Sequence, residues 1–131
     1  MKKSILYILV ILLGVFVVTA CEYEFVEQEE IVVPTPDPDN PLSFADDIVP
    51  IFTNGNYCTA CHDTGGEEPN LEAASAYNSL TNGGYINTTN PEQSTLITVA
   101  GPGTSEHGWK KFTNSQTEKI LQWISEGASN N

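Results

Sequence analysis

Beyond residue 40 the apolar positions come in short helical groups separated by long polar stretches. In "SFADDIVPIF", Phe44, Ile48 and Phe52 recur every fourth residue, the spacing of one helix face. Ser43 is a candidate N-cap, and Asp46 and Asp47 suit the positive end of that helix. Pro50 is expected to kink or shorten it. A short helix is expected around Ala73 to Leu80. "NPEQSTLITVA" offers Asn90 as cap, Pro91 at the first helical position, and Leu96 and Ile97 as buried residues. The clearest helix is "SQTEKILQWISEG", with Ser115 and Glu118 as a capping box and Gly127 as terminator. Its apolar stripe is Ile120, Leu121 and Ile124, beside Trp123. Between these lie "TGGEEPN", "TNGGYINTTN" and "AGPGTSEHG", all turn or loop chemistry. No alternating strand pattern stands out, so the expected class is all-α, with short helices and long loops.

The first 41 residues follow a different pattern. "MKKSILYILVILLGVFVVTAC" has a charged start, an apolar run from Ile5 to Val18, and small residues before Cys21. This is the pattern of a secretory signal over residues 1–20, and the run is short for a membrane span; a shortened anchor is the alternative. "VTAC" resembles a bacterial lipobox, with Val18 where Leu is usual, which implies lipidation at Cys21 and attachment to a membrane through that lipid. Residues 21–41 then read as an acidic and Pro-rich tether, with Pro34, Pro36, Pro38 and Pro41 biasing the backbone toward extended conformations. The acidic run also resembles surface-export signals of some bacterial lipoproteins. The expected product is an exported lipoprotein, periplasmic or associated with the outer membrane or cell surface. Residues 42–131 form its single globular domain, of limited core.

Charge narrows the partners. The chain has five lysines, no arginine and 17 acidic residues, for a net charge of −12. Loss of Lys2 and Lys3 with the signal takes this to −14. Such a surface is a poor match for nucleic acid, whose phosphates need Lys and Arg. It favours a partner with basic surfaces, or serves solubility alone.

A few short helices joined by Gly- and Pro-rich loops bury too little to remain folded unaided, so something else should occupy the middle. The candidate is "CTACH", residues 58–62. Read as a disulfide, Cys58–Cys61 closes a very small loop and stabilises little. A thioredoxin-like exchange pair needs a buried strand before the motif, and "DIVPIFTNGNY" supplies none. Zinc needs four ligands; Cys58, Cys61 and one of His62 or His107 give three and a carboxylate could complete the set, but Cys61 and His62, adjacent in sequence, are hard to point at one small ion. Covalent haem uses every residue of the motif. Each thiol adds to one vinyl group, the two-residue spacer on a helical turn suits the vinyl separation, and His62 ligates the iron. Attachment of this kind takes place outside the cytoplasm, in keeping with a signal sequence. A haem is also a large apolar plate for short helices to pack on.

With those motifs in view, Leu42 to Ala128 resembles a small monohaem c-type cytochrome domain of a bacterial lipoprotein. "DIVPIFTNGNYCTACH" resembles the opening helix and haem-binding motif, and "TEKILQWISEGA" the closing helix. The resemblance implies a cytochrome c-like fold around one haem c, with Cys58 and Cys61 as thioether positions and His62 as proximal ligand. It also implies Phe44, Ile48, Phe52 and Trp123 at the helix–helix contact or the haem edge, with ordinary core packing the simpler role for each.

The sequence departs from that family at the sixth ligand. The usual distal residue is Met, and the only Met here is Met1, which leaves with the signal. His107, in "GPGTSEHGWKKF", lies where the family carries its Met, and Gly101, Gly103 and Gly108 would let the backbone approach a porphyrin face. The alternative is a solvated His107, with the iron five-coordinate or bound by Lys110 or Lys111. Met raises haem potential, so two imidazoles imply a low-potential electron carrier, and the many carboxylates act in the same direction. An open sixth position implies instead a sensor or ligand-binding module, or peroxide chemistry. A haem-free thiol oxidoreductase is the remaining possibility. No Ser–His–Asp order, phosphate-cradling loop or paired-carboxylate signature suggests a conventional enzyme.

Overall fold

The computed structural model describes Lys3, Tyr7, residues 31–32, residues 35–55 and residues 58–131. The signal, the lipobox and Cys21 therefore lie outside the described residues, Lys3 and Tyr7 apart, as does much of the tether. Among the described residues no helix is long and apolar enough to cross a membrane.

The described residues are helical and contain no strand, as the pattern implies. The first helix, α1, is wound as two π segments, Phe44–Ile48 and Ile51–Gly55, joined through Val49 and Pro50. It is followed by α2 (Ala76–Asn82), α3 (Thr95–Ala100) and α4 (Asn114–Ser125). Two 3₁₀ turns, Cys58–Ala60 and Pro91–Gln93, punctuate the loops. Pro50 was expected to kink or shorten α1, yet helical winding continues past it. Proline offers no N–H and its ring crowds the carbonyl one turn back. The wider π winding on either side, with the Val49 N–H donating to the Phe44 carbonyl, eases that crowding.

The core joins the first and last helices. Phe44, Ile48 and Phe52 are buried, as are Ile120, Leu121, Trp123 and Ile124. The Phe44 ring lies 5.0 Å from Trp123 and 5.3 Å from Tyr77, the latter edge-on at 78°. These are favoured aromatic separations. Trp123 is fully buried, and its indole N–H donates to the Ser129 carbonyl at 2.9 Å. Gly127 ends α4 with φ of +99°, turning the chain back toward α1. There Asn131 accepts from the Phe44 N–H through Oδ1 (3.0 Å) and from the Ala45 N–H through its carbonyl (3.2 Å). Ser43 caps α1, accepting from the Asp46 N–H at 3.1 Å, as expected.

Two caps differ from expectation. The capping box of α4 is Thr113 with Gln116, not Ser115 with Glu118. Both pairs have the required spacing, but the Phe112 N–H donates to the Ala100 carbonyl, so the chain is still tied to α3 at residue 112 and helix begins directly after. Asn90 makes no side-chain cap; Pro91–Gln93 is a separate 3₁₀ turn, and α3 starts at Thr95. Leu96 and Ile97 are buried as expected, and the short helix foreseen near residues 73–80 runs from Ala76 to Asn82.

Trp123→Ala should lower stability by about 3–5 kcal/mol, and Thr113→Ala by roughly 0.5–2 kcal/mol. Chemical denaturation of the two variants should show that order; equal losses would mean that the α1–α4 aromatic contact is not the main support.

Candidate functional site

The motif "CTACH" forms one tight turn. The N–H groups of Cys61 and His62 both donate to the Cys58 carbonyl, at 3.1 and 2.9 Å. In a 3₁₀ turn residues three apart eclipse one another, so the two thiols lie on one side of the turn. Cys58 and Cys61 form no disulfide. Cys58 is half-buried, and burial pushes its thiol above the ordinary value, against smaller opposing contributions from a backbone hydrogen bond and the charge of Lys110. A thiol-exchange nucleophile needs the opposite shift.

The loop after the motif folds back onto His62. Its Nδ1 lies 3.0 Å from the Glu67 carbonyl and 3.1 Å from the Pro69 carbonyl. Carbonyls only accept, so this nitrogen carries the proton and donates to both. In a neutral ring the Nε2 then holds the free lone pair. The Leu71 N–H closes the loop on the His62 carbonyl at 2.8 Å, and the Glu67 N–H closes it on the Cys61 carbonyl at 2.8 Å. The turn is tight at Gly66, where any Cβ would run into the Cys61 carbonyl. Glu72 braces the same loop, accepting from the Thr64 N–H (3.0 Å) and hydroxyl (2.6 Å).

His107 comes from the loop between α3 and α4. The Thr104 hydroxyl sits between the Val99 (2.7 Å) and Gly101 (2.9 Å) carbonyls and shares its proton with them. The Lys111 ammonium donates to the Thr104 carbonyl. With the Phe112 N–H on Ala100, these bonds tie both ends of the loop to α3. His107 thereby comes to face His62: the ring centres are 6.1 Å apart and the planes meet at 19°. That spacing is too wide for face-on contact, which for ring atoms is about 3.5–4.0 Å. The Nδ1 of His107 is buried without a hydrogen-bond partner, at a cost of roughly 1–3 kcal/mol unless a bound group engages the ring.

Both imidazoles line an open cleft with two adjoining lobes. Leu71, Leu96, Val99 and Phe112 make the wall of the first lobe almost wholly apolar. Cys58 borders both lobes and Cys61 the second, where Gly108 and Trp109 form the rim. Trp109 is 76% exposed. Of the lysines weighed as ligands, Lys110 lines the cleft, whereas the amine of Lys111 is engaged by Thr104. Phe44, Ile48, Phe52 and Trp123 do not line the cleft; their role is core packing. Among the described residues no group of three or more His, Cys, Asp or Glu could hold a metal ion, which leaves a zinc site without its protein ligand set. Of the residues singled out in the sequence, Cys58, Cys61 and His62 of the motif and His107 from the later loop all border this cleft; no signal in the sequence marks Glu67, Pro69, Thr64, Glu72 or Thr104, which act through backbone carbonyls and local hydrogen bonds that have no motif.

The chain matches no family model, no curated protein and no solved structure.

The Thr64 hydroxyl holds the Glu72 carboxyl below its ordinary value, with burial opposing and the Thr64 N–H and Asn70 side chain assisting. A depressed pKa gives stability that is complete above the ordinary carboxylate value, about 4.3, and lost as pH falls through the lower folded value. Protection of the Thr64 and Leu71 amides, taken relative to their intrinsic exchange, should therefore fall below about pH 4; unchanged protection down to pH 2 would contradict the bracing role. Gly66→Ala should cost about 1–3 kcal/mol in denaturation experiments, because a backbone carbonyl, not a flexible side chain, must yield.

Proposed function

We propose that this chain is a one-electron carrier of cytochrome c type, holding one haem covalently through Cys58 and Cys61, with His62 and His107 as the two axial ligands. The observation that carries the proposal is the spacing of those imidazoles. If a nitrogen of each ring pointed at one iron, two bonds of about 2.0–2.1 Å, each extended by roughly 1.2 Å from nitrogen to ring centre, would span about 6.4 Å; the ring centres are 6.1 Å apart. Porphyrin supplies four ligands of its own, so two protein nitrogens complete the iron where a zinc ion would be left short. The donor chemistry agrees. His62 has its lone pair on Nε2 because its Nδ1 proton is held by two carbonyls, a common outer-shell arrangement for a metal-ligating histidine. His107 has a buried nitrogen lacking a partner.

Bound there, a haem supplies one-electron chemistry between ferric and ferrous iron. The thiols of Cys58 and Cys61 would hold it, each able to add S–H across one vinyl double bond with no leaving group. Leu71, Leu96, Val99 and Phe112 would pack against its apolar face and shield that side from water. Two neutral imidazoles favour the ferric state more than a Met–His pair does, so the potential is low. The carboxylates of Glu67 and Glu68 at the cleft act in the same direction. The net charge of −12 favours redox partners with basic surfaces, with exchange that slows as salt screens the attraction. A lipid on Cys21 and the tether of residues 21–41 would hold the module at a membrane on the exported side and let it swing between partners.

The full chain, exported by a host that attaches haem, should be red, carry one haem by mass, and bind carbon monoxide slowly when reduced. Cys58→Ser with Cys61→Ser should lose the covalent pigment. His107→Ala should bind carbon monoxide at least about tenfold faster, having lost a filled sixth position. A colourless, cooperatively folded product with free thiols would overturn the proposal, and equal carbon monoxide rates would remove His107 from it.

A further inference from the structure

We infer that Glu72 is a positioning residue for His62, fixing the ring through a hydrogen-bonded brace on the loop whose carbonyls hold the Nδ1 proton. This rests on His62 being an axial ligand.

The brace is built from side chains that never touch the imidazole. One Glu72 oxygen accepts from the Thr64 N–H at 3.0 Å and from the Thr64 hydroxyl at 2.6 Å. Thr64 Oγ1 in turn accepts from the Asn70 side-chain amide at 3.2 Å, and the Asn70 Oδ1 accepts from the Glu72 N–H at 3.0 Å. Residues 64, 70 and 72 are thereby locked together across the loop, and the two carbonyls that hold His62, those of Glu67 and Pro69, lie on the segment they enclose. A second carboxylate ties that segment to α2: Glu68 accepts from the Asn70 N–H (3.2 Å) and from the Ser79 hydroxyl (3.0 Å), while Ser79 Oγ accepts from the Asn70 N–H at 2.8 Å.

The physical consequence is a fixed ring and a graded donor. The carbonyls can share the Nδ1 proton only while both stay near 3 Å, and their distance is set by a loop with little apolar contact of its own apart from buried Leu71 and Pro69. Releasing the brace lets the carbonyls drift, which frees the proton to exchange with solvent and weakens the ring as an electron donor to a metal.

The test uses the full exported protein and three variants, Glu72→Ala, Glu72→Gln and Thr64→Val. Absorbance first establishes that haem is bound; NMR then follows exchange of the His62 Nδ1 proton, and spectroelectrochemistry follows the potential. Glu72→Ala should speed proton exchange by about tenfold or more and move the potential upward. Glu72→Gln, which keeps an acceptor oxygen, should recover most of the protection. Thr64→Val leaves the charge unchanged, so faster exchange there separates bracing from electrostatics, and it decides the matter if Glu72→Ala does not fold. Glu92→Ala, an acid on the Pro91–Gln93 turn that does not line the cleft, controls for loss of charge alone and should leave exchange unchanged. Exchange within about twofold of the parent in both Glu72→Ala and Thr64→Val, with haem retained, would overturn the inference. A parent without haem would instead overturn the proposed function, while the His62 tautomer and its exchange would remain readable in the metal-free chain.

Discussion

An imidazole whose Nδ1 proton lies between two carbonyl oxygens has lost its choice of tautomer. For His62 that choice is made by Glu67 and Pro69, at 3.0 and 3.1 Å. The remaining nitrogen must then carry the lone pair, and its line of approach is fixed by a loop rather than by the helical turn that bears the residue. The direction in which His62 presents that lone pair follows from this constraint. The constraint exists because the chain reverses sharply after Cys61, with Gly66 at the one point where a side chain would collide with the Cys61 carbonyl.

The helices do a different task. Contact of α1 with α4, centred on Phe44 and Trp123, buries the main aromatic surface and secures residues 128–131 across the start of α1. None of those aromatics reaches the cleft. Stability and chemistry are thus divided between two parts of a small domain. The helix pair keeps the domain folded, while α3 and two loops shape an open apolar cleft that the pair does not fill. A group that packs against Leu96, Val99 and Phe112 would remove apolar wall from water, so binding and folding would favour one another.

How much of this was legible beforehand depends on the length scale of the interaction. The stripe Phe44–Ile48–Phe52 and the burial around Trp123 follow from helical periodicity, because hydrophobic burial repeats with the turn. The Cys58–Cys61–His62 turn follows from a motif whose spacing is its chemistry. The start of α4 was misplaced by two residues because Thr113/Gln116 and Ser115/Glu118 both have the spacing of a capping box, and a backbone bond from Phe112 to Ala100 decides between them. The π winding around Pro50 depends on crowding in three dimensions and has no period to read. The Thr64–Asn70–Glu72 brace was invisible for a related reason: in a loop, hydrogen-bonding residues occur everywhere, and only the fold says which of them meet.

The loop carrying His107 bears on the choice between an electron carrier and a ligand-binding module. A sixth position that opens readily needs a loop that can leave at small cost. Here Thr104 is bonded through its hydroxyl to Val99 and Gly101 and through its carbonyl to Lys111, and Phe112 is bonded to Ala100. Removing His107 from the cleft while keeping those bonds requires movement confined to residues 105–110, a span that contains Gly108 and the exposed Trp109. Larger withdrawal must break several backbone-directed bonds together, and each such bond contributes about 0.5–1.5 kcal/mol. Fast one-electron exchange is served by a site that changes shape little between oxidation states. Were the two imidazoles to ligate one iron as proposed, the carbonyls at His62 and the bonds of Thr104 and Phe112 would favour that requirement over a sensor's need to release a ligand position.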